Sequence, residues 1–221
     1  MSQKRPTIVP YRQIRAQYDD TTITVYQAFS PSIATAAVAA QRLDASPDFK
    51  HGRMTWVKPS WAWIMYRAGY SYKDARQARI LALRVTHEHF LGLLQRGVLS
   101  HGETVAATTA AATRIRTAPG RNDIVRIQWD PERTPALQRL PYRSIQIGIP
   151  GSLSERWVSE WIVSIEDVTE TAKDLKRTLD ENDHVPLELL IARGLVPVER
   201  PFAVPDSIMT KLGMTRPDQS P

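Results

Sequence analysis

The chain predicts a mixed α+β fold, and three observations carry that expectation. Runs rich in β-formers and runs with helical character are interspersed along the 221 residues. The central and late β-rich runs lack the regular strand–helix alternation that a doubly wound parallel sheet requires. A content of 42% hydrophobic and 24% charged residues is that of a globular chain. There is no internal repeat. The expectation is one domain over 1–221, with a core of about 14–182 and a Pro-rich C-terminal wrap over 183–221.

Each element follows in order. Residues 1–20 are polar and Arg-rich, with little periodicity. "ITVYQAF" (23–29) is a β-rich run and predicts a strand. In "SPSIATAAVAAQRL", Ser30 suits a cap, Pro31 the first turn, and the alanines propagate a helix. "DASPDFKHGR" is a loop and "MTWVK" a short strand. "PSWAWIMYRAG" predicts a helix opened by Pro59 and closed by Gly69. "ARILALRVT" is a strand, and "THEHFLGLLQRG" a helix with Thr86 as cap and Gly97 as stop. The stretch 98–123 fits no single element. "IVRIQWD" and "SIQIGIPG" are strands, with "PERTPALQRLPYR" a turn or loop between them. "WVSEWIVSIEDVT" (157–169) is apolar at both alternating sets of positions, which predicts a strand covered on both faces. "TETAKDLKRTLD" is a helix capped by Thr169, with Glu170 and Asp174 towards its positive end. Pro186, Pro197, Pro201, Pro205 and Pro217 break up the tail.

Composition also excludes. No run of eighteen apolar residues is present, so no membrane partner is expected. The start of the chain lacks an apolar signal core and cysteine is absent, so the expected setting is cytoplasmic, without disulfides or thiolate sites. The net charge of +6 permits a polyanionic partner or an anionic cofactor, but no Lys/Arg block stands out, and a general abundance of Arg accounts for it equally well. The Rossmann, P-loop and nucleophile-elbow glycine patterns are missing. His87 and His89 diverge on a helix start, and His51, His101 and His184 are scattered, so no metal is expected.

Three places carry candidate chemistry. Glu160 interrupts an apolar run, where a carboxylate is costly unless it is paired or used. It is either a catalytic group at a strand start, an exposed strand end, or the partner of an Arg such as Arg143 or Arg156. Lys58-Pro59-Ser60 lies at a strand-to-helix junction, where free N–H groups suit a pyrophosphate. Trp61 and Trp63 point different ways on the helix that follows, and "WIMY" places Trp63 in the core. The alternative there is an aromatic core helix with an ordinary cap. Arg15, in "YRQIRAQYDD", fits either a bidentate phosphate contact or a surface ion-pair cluster.

The phrases "IRAQYDD", "TVYQAFSPSIA", "RMTWVKPSWAWIMYRAGY", "QWDPER", "SIQIGI" and "EWIVSIEDVT" resemble a family of unknown function, number 4291, from about Ile14 to Thr169. That resemblance implies no activity. The order of segments also resembles the ADP-ribosyltransferase superfamily, which implies a split mixed or antiparallel sheet with flanking helices and NAD as substrate. In that resemblance "VYQAFS" stands for a first motif, with Tyr26 and with Gln27 where His or Arg is usual. "MTWVKPSWAW" stands for a second, with Thr55 or Ser60. "SEWIVS" stands for a third, with Glu160 as the catalytic carboxylate. Arg15, Lys58 and Trp61 complete the implied NAD site, with Arg15 in place of the missing cation. The acceptor stays open among protein, nucleic acid and small molecule. A non-enzymatic nucleic-acid binder using exposed Trp and basic charge, and an inactive interaction module on the same fold, are the alternatives.

Overall fold

Two sheets meet at a single backbone bridge. The computed structural model describes residues 9–100 and 123–215; most of the stretch 98–123, together with His101 and Pro217, lies outside them. The strands are β1 (Arg15–Ala16), β2 (Thr22–Phe29), β3 (Thr55–Val57), β4 (Arg79–Thr86), β5 (Gly97–Leu99), β6 (Val125–Arg133), β7 (Arg139–Ile149), β8 (Ile162–Asp167) and β9 (Arg200–Pro201). The α-helices are α1 (Pro31–Ala40), α2 (Trp61–Ala68), α3 (His87–Gln95), α4 (Ser154–Arg156), α5 (Thr169–Glu181), α6 (Leu187–Ala192) and α7 (Asp206–Lys211). The fold is therefore α+β, as the interspersed runs predict.

One sheet has the order β2-β4-β8 and is antiparallel throughout. The other has the order β3-β7-β6-β5, with only β5 and β6 parallel. The sheets touch where Tyr26 and Lys58 exchange backbone hydrogen bonds of 2.7 and 3.1 Å. Beyond that contact β2 and β3 diverge, which leaves the sheet split. The short pair β1–β9 fastens the tail to the N-terminal segment.

Local chemistry explains most boundaries. Ser60 caps α2 by accepting the Trp63 N–H at 3.0 Å, and Gly69 closes the helix at φ 56°. Thr86 caps α3 by accepting the His89 N–H. Gly148 lies against the Trp56 ring, where a Cβ would stand 2.9 Å from it, so only glycine lets that ring cross β7.

Four expectations need correction. Residues 157–161 are not a strand: Trp157–Trp161 form a π-helical turn continuing α4, and β8 begins only at Ile162. Trp157, Val158 and Trp161 share one helical face and are all buried, so the same residues satisfy a helical period. The segment 131–143 is mostly strand: Pro131 still pairs with Arg143, the register shifts between Pro131 and Arg133, and only 134–138 turn. Thr169 does not cap α5. Its hydroxyl accepts the Ile80 N–H, and Asp167 accepts the Thr169 N–H instead. Ser30 precedes α1 but makes no side-chain cap bond.

The core forms two clusters. The larger holds Val25, Leu83, Ile127, Trp129, Ile147 and Trp157. The second lies between α2, the three-stranded sheet and the tail, with Tyr26, Trp61, Met65, Ile80, Leu175, Leu190 and Val196. The tail is thus more than a surface wrap: Leu190, Ile208 and Leu212 are buried, and the Trp129 indole N–H donates to the Leu212 carbonyl at 3.0 Å.

Candidate functional site

The irregularity where β6 meets β7 decides the chemistry. Val125, Ile127 and Trp129 alternate inward along the strand. Strict alternation would turn Glu132 outward, but the ladder is interrupted between Pro131 and Arg133, where Glu132 alone faces residues 140–142 of β7, and Glu132 lies inward at 6% exposure. Its Oε1 accepts the Ser60 hydroxyl at 2.9 Å and the Arg133 N–H at 2.8 Å. Ser60 therefore works in both directions, accepting from the helix and donating to the carboxylate.

A second carboxylate arrives from the tail. Just before β9, Glu199 Oε1 accepts the Trp61 N–H at 2.6 Å. Two glutamates thus meet the first turn of α2, one through the Ser60 side chain and one through the backbone. Arg15 in β1 donates to the Glu199 carbonyl at 3.0 Å and to Gln13 at 3.4 Å. These groups line a cavity of about 590 Å³, together with Trp61 and Tyr142. Its opposite wall is aliphatic and includes Leu187, Leu190, Val196 and Val198.

Burial raises both acids. Burial, then the neighbouring Glu132 charge, raises the Glu199 carboxyl to about 8, against the pull of the Trp61 N–H and Arg15. Glu199 keeps part of its surface exposed and lines the cavity. Burial also raises Glu132, while the Arg133 N–H, the Ser60 and Ser144 hydroxyls and Arg15 hold it down. The Tyr142 phenol is raised by burial and by the Glu132 charge. The indole N–H of Trp61, a residue 2% exposed, finds no acceptor among the described residues.

The expected site residues are only partly brought together. Arg15 and Trp61 line the cavity, and Ser60 lies directly behind it. Tyr26 packs edge-on against Trp61, with ring centroids 5.2 Å apart, and with it lines a second cavity of about 390 Å³. Its hydroxyl donates to Gln17. Gln27 and Thr55 meet across the split, Nε2 to Oγ1 at 3.5 Å, and neither lines either cavity. Lys58 is 4% exposed, so it is not an open phosphate contact. Burial, followed by the nearby Arg67, lowers its ammonium to about 7, and Asp130 opposes that shift.

Glu160 sits elsewhere. Its side chain is 52% exposed and accepts from Arg156 at 3.1 Å, one helical turn away. Glu160 is both exposed and paired with Arg156. Arg156 also lies over the Trp161 ring, which stacks on His89. Glu160 lines neither cavity.

Sequence reasoning missed Glu132, Tyr142 and Glu199 as site residues. The signal for Glu132 was a proline beside an acid at the end of an alternating strand, the mark of a break in a strand ladder. Glu199 had no local signal. The exposed tryptophans that would serve nucleic-acid binding are not present: five of the six are buried and Trp56 is half-buried. Trp63 is 7% exposed, as its place in "WIMY" predicts. Among the described residues no group of three or more His, Cys, Asp or Glu is arranged to hold a metal. No helix among them is long and apolar enough to cross a membrane.

The sequence profile described as Domain of unknown function (DUF4291) matches residues 13–202, and the chain belongs to that family. No curated protein matches the chain.

Proposed function

We propose that the cleft transfers an ADP-ribosyl group from NAD, with Glu132 rather than Glu160 facing the reacting ribose. One observation carries this reading: an interior carboxylate, fixed by two donors, lines a cavity beside a guanidinium and an indole. Cleaving the bond from ribose C1 to nicotinamide builds positive charge on the ribose. A preoriented carboxylate opposes that charge most strongly where water is excluded. Glu132 is held by Ser60 and the Arg133 N–H, so it does not have to reorganise as charge develops.

The other groups have matching tasks. Arg15 supplies positive charge at the cavity wall for a phosphate, and the Trp61 side chain supplies an aromatic surface. Ser60 is a positioning residue, because both of its bonds are spent on the helix and on Glu132. The split between β2 and β3 agrees with the sheet that the superfamily resemblance implies. Gln27 and Thr55, paired across that split, are the nearest counterparts of the first two motifs.

The experiment is direct. NAD is incubated with the wild type, Glu132→Gln and Glu160→Gln, and free nicotinamide is measured. Loss in Glu132→Gln, with Glu160→Gln close to wild type, supports the reading. Release that depends on Glu160 and not on Glu132 moves the site to the exposed turn. A wild type that neither binds nor cleaves NAD at millimolar concentration ends it.

A further inference from the structure

We propose that residues 196–199 form a strap that divides one elongated cleft into the two cavities, and that Glu199 is the latch that holds the strap down. The strap concerns how the tail is fastened, whichever ligand enters the cleft.

The two cavities meet along one seam. Val196, Pro197 and Val198 line both of them, as do Trp61 and Ile191. The first cavity is backed by β6 and β7, through Glu132, Leu140 and Tyr142. The second is backed by the three-stranded sheet, through Tyr26, Ala82, Arg84 and Glu166. The strap runs along the seam between them.

The strap is anchored at both ends and lightly held between. Before it, the Leu195 N–H donates to the Leu190 carbonyl at 2.9 Å, and after it Arg200 and Pro201 pair with β1. Val196, Pro197 and Val198 form no backbone hydrogen bond among the described residues. Val196 is the one buried residue of the four, and Val198 is 55% exposed. Glu199 does the fastening: its carboxylate accepts the Trp61 N–H at 2.6 Å, and its carbonyl accepts from Arg15 at 3.0 Å. A segment with so few hydrogen bonds and so little buried apolar surface opens more readily than the core.

The fastening also sits where a ligand acts. Arg15, Trp61 and Glu199 all line the first cavity. A ligand group that takes the Arg15 guanidinium removes one of the two holds on Glu199, so binding and opening favour each other. With the strap lifted, the space beside Glu132 and the space beside Glu166 become one cleft.

The chain has no cysteine, so one introduced thiol reports on its own surroundings. Val196→Cys is labelled with a bulky maleimide. Leu190→Cys, in the same core cluster but outside the strap, is the reference. Adding Glu199→Ala should speed labelling at Val196→Cys at least about tenfold and leave Leu190→Cys unchanged. Adding Glu199→Gln, which keeps an acceptor for the Trp61 N–H, should leave both rates near those with Glu199 intact. No acceleration at Val196→Cys, or equal acceleration at both thiols, overturns the strap. Acceleration by Glu199→Gln as large as by Glu199→Ala overturns the latch. If Glu199→Ala does not fold, amide exchange of the wild type decides. The Trp61 N–H, held by Glu199, should exchange at least about tenfold faster than the Trp63 N–H, which Ser60 holds in the same turn, and equal rates overturn the strap. None of these rates involves NAD, so their failure leaves the ribosyl-transfer reading standing, and a failure of NAD to bind leaves the strap standing.

Discussion

Glu132 and Glu160 stand in similar company along the chain. Each lies within three residues of a tryptophan, Glu132 just past the end and Glu160 near the start of a run that promises a strand. In the folded protein they part. Glu132 is 6% exposed and bound by Ser60 and the Arg133 N–H. Glu160 is half in solvent, on a π-helical turn, with only Arg156 as partner. The difference comes from one backbone irregularity in each segment. A break in the β6–β7 ladder leaves Glu132 inward, and a helical turn carries Glu160 outward while its tryptophan neighbours stay in the core. A charged residue beside aromatics is therefore not by itself a buried charge.

The largest expected effect tests this contrast in activity. Glu132→Gln should reduce nicotinamide release by roughly a hundredfold or more, because it removes charge at a fixed position in a water-poor site. Its melting temperature should stay level or rise, since a buried carboxylate is replaced by a neutral isostere. Glu160→Gln should stay within about twofold of wild type, because an exposed ion pair contributes little. Nicotinamide assays and thermal melts on both variants measure the contrast, and equal losses would erase it.

Next in size is the interior support. Ser60→Ala should cost about 1–2 kcal/mol, since it removes the α2 cap and a partner of a buried carboxylate. Ser159→Ala is the matched change on the exposed turn. It removes only a bond to the Glu155 carbonyl and should cost less than about 0.5 kcal/mol. Urea unfolding of the pair gives the comparison.

Proton linkage sharpens it further. Glu199 has its carboxyl raised from 4.5 to about 8, so between those values the folded state holds a proton that the unfolded state has lost. Its contribution is fully present below 4.5 and is lost as pH rises through about 8. Lys58, lowered from 10.5 to about 7, acts in the opposite sense: its contribution is present above 10.5 and is lost as pH falls through about 7. Glu199→Gln should therefore gain on wild type as pH rises from 5 to 8. Lys58→Met should be more stable than wild type at pH 7 by about 1 kcal/mol or more, and the advantage should shrink towards pH 10. Melts across pH 5–10 would show whether the two slopes have opposite signs.

The smallest effect is the stability of Glu160→Gln, expected within about 0.5 kcal/mol of wild type and insensitive to added salt. A larger loss would mean that Glu160 holds the turn in place, and the contrast with Glu132 would weaken.

The sequence alone determined those features that local physics controls. Pro31, Gly69 and Thr86 mark helix ends because capping and the left-handed turn involve only neighbours within a few residues, although α2 starts at Trp61 behind Ser60 and not at Pro59. The β-rich runs at 23–29, 79–86 and 144–149 marked strands because branched and aromatic side chains suit a pleated surface. The resemblance carried in the phrases from Ile14 to Thr169 agrees with the family match over 13–202. Tertiary structure alone decided the rest. Trp157, Val158 and Trp161 suit a strand or a helical turn equally, and only packing against the core chose between them. The inward face of Glu132 follows from a break in a ladder whose partner strand lies beyond the turn at 134–138. Glu199 reaches Trp61 across 138 residues because β9 pairs with β1, and the pairing of distant strands leaves no trace in a local window. Burial of Lys58 is of the same kind: its neighbours in sequence place it at an open junction, and the packing of α2 on the sheets closes that junction over it.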